Sequence, residues 1–118
     1  MTLGYLLEID CQLRSENRRE FTLSSMSLMQ HTGEGHRRTV IYQDRDQPDH
    51  VLWVEEWNDA ESVNKYLASE GFLALQGALK TLGSISAYRL VEMGDSESIS
   101  RDAARRPART KGWLGPST

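Results

Sequence analysis

Cysteine is almost missing: Cys11 is the only one among 118 residues, so no disulfide can form within the chain. A crosslinked secreted scaffold is thereby excluded, and a lone thiol fits a reducing compartment. Long apolar runs are absent as well. Nothing approaches the roughly 20 consecutive apolar residues of a membrane span. The opening stretch MTLGYLLEID has neither the cationic start nor the apolar core of an export signal. A cytoplasmic protein with no membrane partner is the expectation. Glycine-rich dinucleotide and phosphate loops, HExxH and CxxC are all missing. His31, His36 and His50 stand apart, and none has a second ligand at metal spacing. The residues therefore point to no metal and no cofactor.

Positive charge is scarce where it would matter for nucleic acid. Residues 1–94 carry 9 Lys/Arg against 14 Asp/Glu, whereas residues 95–118 carry 5 against 3. An acidic body gives no electrostatic basis for binding phosphates, which requires clustered cations. Length excludes the large enzyme folds too, since a (β/α)₈ barrel needs about 250 residues. The expected organisation is one domain over residues 1–94 and a basic, disordered tail over 95–118. Trp113 and Leu114 are the tail's only candidates for docking.

What is present is periodic. Tyr5, Leu7, Ile9, Cys11 and Leu13 alternate with Leu6, Glu8, Asp10 and Gln12, the period of two of a strand with one apolar face. Asn17 with Glu20 three residues on has the spacing of a helix capping box, and Phe21, Met26, Leu28 and Met29 follow at loose helical spacing. Gly33 and Gly35 close that segment. Residues 38–44 (RTVIYQD) and 50–57 (HVLWVEEW) read as strands joined by the turn RDQPD, an antiparallel hairpin. Asn58 and Asp59 are good caps for a second helix. Its apolar stripe runs through Val63, Tyr66 and Leu67, then Phe72, Leu75, Leu79 and Leu82, with Ser69 and Gly71 as a point of interruption. Gly83 suits the position just past a helix end, and residues 84–93 (SISAYRLVEM) form a fourth strand.

The order is β-α-β-β-α-β, the ferredoxin-like arrangement. It implies an α+β fold with a four-stranded antiparallel sheet and two helices on one face. In the third strand Val51, Trp53 and Trp57 point one way and Leu52 and Val54 the other, so both sheet faces carry apolar groups. A sheet this small needs a second cover, and a two-fold homodimer is the simplest one.

The stretch YQDRDQPDHVLWVEEWNDAESVNKYLASEGFLALQGALKTLGSISAYRLVEM resembles the second half of an antibiotic biosynthesis monooxygenase (ABM) domain. The pieces that carry the likeness are VEEW closing the third strand, the small polar pair after it, and YLASEGF followed by ALQGAL. The resemblance implies a dimeric α+β barrel with a pocket between helices and sheet in each subunit. It also implies, in the best-known members, oxygenation of aromatic polyketides or quinols without metal or flavin. This chain departs from the family at several points. Many members have a histidine where Tyr66 stands and another where Gly71 stands. Haem-degrading members use an asparagine on the first strand, a tryptophan on the second helix and a histidine ten residues later; Glu8, Tyr66 and Gln76 occupy those places here. Glutamine is a poor iron ligand.

Cofactor-free oxygenation needs an electron-rich phenol or quinol, a proton acceptor and an aromatic pocket that excludes water. The candidate catalytic residues are Glu8 or Asp10 as proton acceptor and Tyr66 as hydrogen-bond donor. Arg38, Tyr42, Trp53, Phe72 and Gln76 are the candidates for binding a small aromatic substrate. Each has a structural alternative: Trp53 as core, Tyr66 as helix packing, and Glu8 and Asp10 as ion-pair partners of Arg38 or Arg89. A non-catalytic dimeric module that binds a small molecule is the competing function, and the missing histidines favour it.

Overall fold

A computed structural model of the chain describes residues 2–30, 32–94 and 110–115. The strands are β1 (Thr2–Leu13), β2 (His36–Gln43), β3 (His50–Trp57), β4 (Gly83–Gly94) and β5 (Thr110–Gly115), and the helices are α1 (Arg18–Met29), α2 (Ala60–Leu67) and α3 (Glu70–Leu82). The sheet order is β2-β3-β1-β4-β5, with every neighbouring pair antiparallel. The first four strands form the ferredoxin-like sheet expected from the sequence.

Alternation in β1 decides what each face carries. Leu7, Ile9, Cys11 and Leu13 are buried on the face that packs against the helices, together with Val51, Trp53 and Trp57 of β3 and Ile85 and Tyr88 of β4. Val63 and Tyr66 of α2 and Phe72, Leu75, Leu79 and Leu82 of α3 meet them from above. Burial drives the Cys11 thiol pKa up to about 12, so it is an unreactive core residue. The opposite face has a smaller apolar cluster of Leu6, Val54, Val91 and Met93, with Leu52 packed against it. Both faces of the sheet are therefore apolar at their centres, as the third strand implied.

Four local expectations are revised. The second helical segment is two helices. Ser69 accepts a hydrogen bond from the Phe72 amide and starts α3 afresh. The capping box at Asn17 does not form: a 3-10 turn over Ser15–Asn17 leads into α1, and the Asn17 amide group instead donates to the Leu82 carbonyl at 3.0 Å. Met26 faces outward and is 70% exposed, so the inner face of α1 is set by Phe21. Gly83 is not a left-handed cap, because its φ of −177° is extended. Glycine is required there by proximity, since a Cβ would lie 2.1 Å from the Gln12 carbonyl oxygen where α3 passes directly into β4.

Within the tail, Thr110–Gly115 lies along β4 as the sheet's outer strand. A free β4 edge would present a row of unpaired backbone groups. The rest of the expected disordered tail, residues 95–109 and 116–118, lies outside the described residues. No helix among the described residues is long and apolar enough to cross a membrane.

Candidate active site

Glu55 is the unusual residue of the helix-facing side. It sits in mid-sheet, paired across to Leu7 of β1 and Thr39 of β2, and is 0% exposed. Its position follows from strand alternation: it shares a face with Val51, Trp53 and Trp57. The Trp53 indole N–H donates to Glu55 Oε2 at 2.9 Å, and the Tyr66 hydroxyl donates to the same oxygen at 3.0 Å. The Trp57 indole N–H also faces the carboxylate. It makes no full hydrogen bond, and among the described residues it and Glu55 Oε1 are buried polar atoms without a partner.

Burial governs the electrostatics of this group. Desolvation raises the Glu55 pKa above its ordinary 4.5, and the donors from Trp53, Tyr66 and Trp57 pull against that rise. Tyr66 is raised as well, first by burial and then by the nearby Glu55 charge and their hydrogen bond. The pair therefore holds its protons more tightly than either residue would in water.

Aromatic rings surround the pair. Trp57 and Tyr66 lie 4.6 Å apart between ring centroids, Tyr66 and Phe72 5.3 Å, and Phe72 and Tyr88 6.1 Å. His36 packs edge-on to Trp57 at 5.3 Å, and burial lowers its pKa, favouring the neutral ring. Gln76 donates to the Tyr88 hydroxyl at 2.7 Å.

A cavity of ≈ 290 Å³ opens beside Trp57 and Tyr66. Its other walls are residues 32–34 of the connection between α1 and β2, the start of α2 at Asp59, Glu61, Ser62 and Lys65, and Ser69. Two local features hold these walls. Asp59 caps α2 by accepting from the Ser62 amide at 2.8 Å. Gly35 has φ +91°, and a Cβ there would lie 2.2 Å from Ser62 Oγ, so only glycine lets the connection seat against α2.

The residues singled out from sequence divide between the two faces. Tyr66 and Trp53 meet at Glu55, with Phe72 and Gln76 farther along the same aromatic row. Glu8, Asp10, Arg38 and Tyr42 lie on the opposite face. There Glu8 pairs with Arg89 at 3.1 Å, Asp10 with His50 at 2.5 Å, and Arg38 with Glu56 at 2.9 Å, while Tyr42 is 41% exposed. Within one chain, neither Glu8 nor Asp10 can share a pocket with Tyr66, because each alternates with a residue buried under the helices. Glu55 was not among the sequence candidates. Its signal was available as the one carboxylate in the apolar series Val51, Trp53, Glu55, Trp57. Among the described residues, no group of three or more His, Cys, Asp or Glu side chains gathers as a metal site would need.

Well below pH 4.5, Glu55 is protonated whether the chain is folded or unfolded. Above it, the unfolded chain releases this proton while the folded chain keeps it, so stability is lost as pH rises until folded Glu55 ionises too. Glu55→Gln removes this titration and keeps an oxygen for the Trp53 and Tyr66 donors. Urea unfolding is expected to show wild type losing stability relative to Glu55→Gln from about pH 5 upward; parallel pH curves would contradict the assignment.

The fold has counterparts among known proteins. The family model for antibiotic biosynthesis monooxygenase matches residues 5–78. A search of curated proteins finds no match. Among solved structures, a conserved protein from Methanosarcina mazei Go1 is similar with TM-score 0.68 at 21% identity, covering 79% of this chain and 95% of that one. A point mutant of SnoaB, a cofactor-independent oxygenase from Streptomyces nogalater, matches with TM-score 0.66 at 16% identity, over 84% of this chain and 99% of that one. A Deinococcus radiodurans protein assigned to the antibiotic biosynthesis monooxygenases matches with TM-score 0.63 at 19% identity, over 82% and 97%. At these identities the structures speak for the fold, and the family match covers more than half of the chain. The chain belongs to the antibiotic biosynthesis monooxygenase family.

Proposed function

We propose that this protein is a monooxygenase of the ABM type that acts on a small aromatic or quinol substrate without a cofactor. The observation that carries the reading is the cavity walled by Trp57 and Tyr66. Its size approaches the lower end of small-molecule pockets, roughly 300 Å³, which suits one or two fused rings. Family membership and the likeness to a cofactor-independent oxygenase support the same reading.

The chemistry asks the protein to bind the ring, take a proton and keep water out. Loss of a phenolic proton makes the substrate an anion that can pass an electron to dioxygen. A ring carbon bearing hydrogen is then oxygenated, and the ring is left at the quinone level. One oxygen atom stays on that carbon, and the other leaves as water with two hydrogens of the substrate, one from the carbon and one from a phenolic hydroxyl. No outside reductant is needed. In this reading Trp57 is the aromatic wall and Tyr66 the group against the substrate, while Trp53 and Phe72 pack behind them in the core and Gln76 fixes the Tyr88 hydroxyl beside Phe72. A cytoplasmic setting agrees with a buried, unpaired Cys11.

We assign Glu8, Asp10, Arg38 and Tyr42 to a different task, the face between two copies of the chain. The apolar cluster of Leu6, Val54, Val91 and Met93 lies on that face, ringed by the ion pairs described above. Light scattering at micromolar concentration is expected to give the mass of two chains; the mass of one chain would overturn the dimer.

The competing reading is a binding module that keeps the pocket and does no chemistry, and Tyr66 and Gly71 in place of the family histidines favour it. Oxygen uptake with a panel of hydroquinones and hydroxyanthrones separates the two. Uptake above the uncatalysed rate is expected, with kcat for Tyr66→Phe lower by about 10²–10⁴-fold, the usual contribution of general acid–base catalysis. No uptake above background, or uptake untouched by Tyr66→Phe, would dismiss the catalytic assignment.

A further inference from the structure

A fully buried carboxylate in the middle of a sheet needs a reason. As an ordinary core residue Glu55 is poorly suited, since removing a charge-capable group from water is unfavourable unless it is fully partnered. Its partnering is one-sided and incomplete. The groups aimed at it are all donors: the Trp53 indole, the Tyr66 hydroxyl and, short of a full bond, the Trp57 indole. One of its oxygens has no hydrogen-bond partner among the described residues. A set made only of donors is the surrounding of an acceptor, and the spare oxygen leaves acceptor capacity unused. Tyr66 is the link outward, because it both bonds Glu55 and walls the cavity.

The geometry points to Glu55 as the proton acceptor of this pocket, acting through the Tyr66 hydroxyl on an uncharged phenol. The inference rests on the reading of the cavity as the substrate site. The transfer balances without any further reactant. The substrate O–H proton passes to the Tyr66 oxygen as the Tyr66 proton passes to Glu55 Oε2. The products are a substrate phenolate, an intact Tyr66 hydroxyl and a neutral Glu55 carboxyl. The hydrogen-bond direction then reverses: Glu55 donates to Tyr66, and Tyr66 donates to the phenolate. The negative charge leaves the fully buried Glu55 site, and relief of that desolvation favours the transfer. The cavity walls explain why the phenol should arrive uncharged. Among the described residues that line it, Glu34, Asp59 and Glu61 stand against one cation, Lys65. A substrate carrying a carboxylate or phosphate would meet repulsion there before any proton moved.

Glu55 is a positioning residue in this scheme, because Tyr66 stands between it and the substrate. Its test is spectroscopic and uses 4-nitrophenol, whose phenolate is yellow and whose neutral form is nearly colourless. The probe is titrated into wild type, Glu55→Gln and Tyr66→Phe, with binding followed by calorimetry and ionisation of the bound probe by absorbance across pH. Wild type is expected to bind the probe and to ionise it at a lower pH than either variant does. Both variants are expected to bind it with ionisation displaced upward by one pH unit or more, about a tenfold loss of phenolate at a given pH. The other charged groups of the cavity are common to all three proteins and cancel in the comparison. Tyr66→Phe, which loses one oxygen and keeps the ring, carries the test alone if Glu55→Gln does not fold. Equal ionisation in all three proteins, with binding intact, overturns the role of Glu55 and leaves the pocket standing. No binding by wild type overturns the pocket reading and the proton path with it.

Discussion

The structure turns on a carboxylate placed where carboxylates are costly. Glu55 is out of contact with water between two indoles and a phenol. Hydrogen bonds to a charged group are worth about 1.5–3 kcal/mol each, so the Trp53 and Tyr66 donors offset part of its desolvation and leave part unmet. The unmet part is visible as Oε1 without a partner among the described residues and as a pKa raised by burial. Trp53 and Tyr66 are in turn constrained by it. The Trp53 indole N–H has Glu55 as its acceptor, and the Tyr66 hydroxyl fixes the orientation of the ring that walls the cavity. Core packing and site geometry are thus one arrangement, and the aromatic row from His36 to Tyr88 is aligned on it.

The sheet keeps two kinds of chemistry apart. Toward the helices are aromatic rings, a buried carboxylate and a cavity. Toward the opposite side are ion pairs around a small apolar centre, with Arg37 and Arg38 both reaching Glu56. Neighbours in sequence serve opposite faces: Glu55 is enclosed by indoles while Glu56 is held by guanidinium groups. The same carboxylate chemistry therefore yields a buried proton acceptor on one side and an ion-pair anchor on the other, decided only by strand alternation. Hydrogen-bonded position in the sheet prevents either from swapping roles.

The fold was largely legible in the sequence because its signals are periodic. β3 runs from His50 to Trp57 as the β-branched and aromatic run indicated, and the apolar stripe from Val63 to Leu82 is buried as its spacing required. What failed were features decided by distant contacts. The Asn17 side chain is drawn to Leu82 at the far end of α3, a partner no local pattern shows. Gly83 is needed because Gln12 lies against it, and that proximity exists only once β1 and β4 pair. The site was legible only by halves. Tyr66 and Trp53 were identifiable as aromatic residues on inward positions. Residues 32–34 were not, because the α1–β2 connection reaches α2 only in three dimensions. Glu55 was missed although its parity with Trp53 and Trp57 marked it, because a carboxylate in a strand reads first as a solvent-facing residue.

The central claim is that Glu55 is a buried proton acceptor rather than a static anchor for two aromatic rings. Its most direct test is the titration of the Glu55 carboxyl carbon by NMR in the intact protein, assigned by comparison with Glu55→Gln. Proton acceptance requires a midpoint clearly above 4.5, the ordinary value for glutamate, and below the pH at which the pocket ionises a bound phenol, so that Glu55 is a carboxylate when the phenol arrives. A midpoint at or below 4.5 would show that its hydrogen bonds outweigh burial, and would contradict the account.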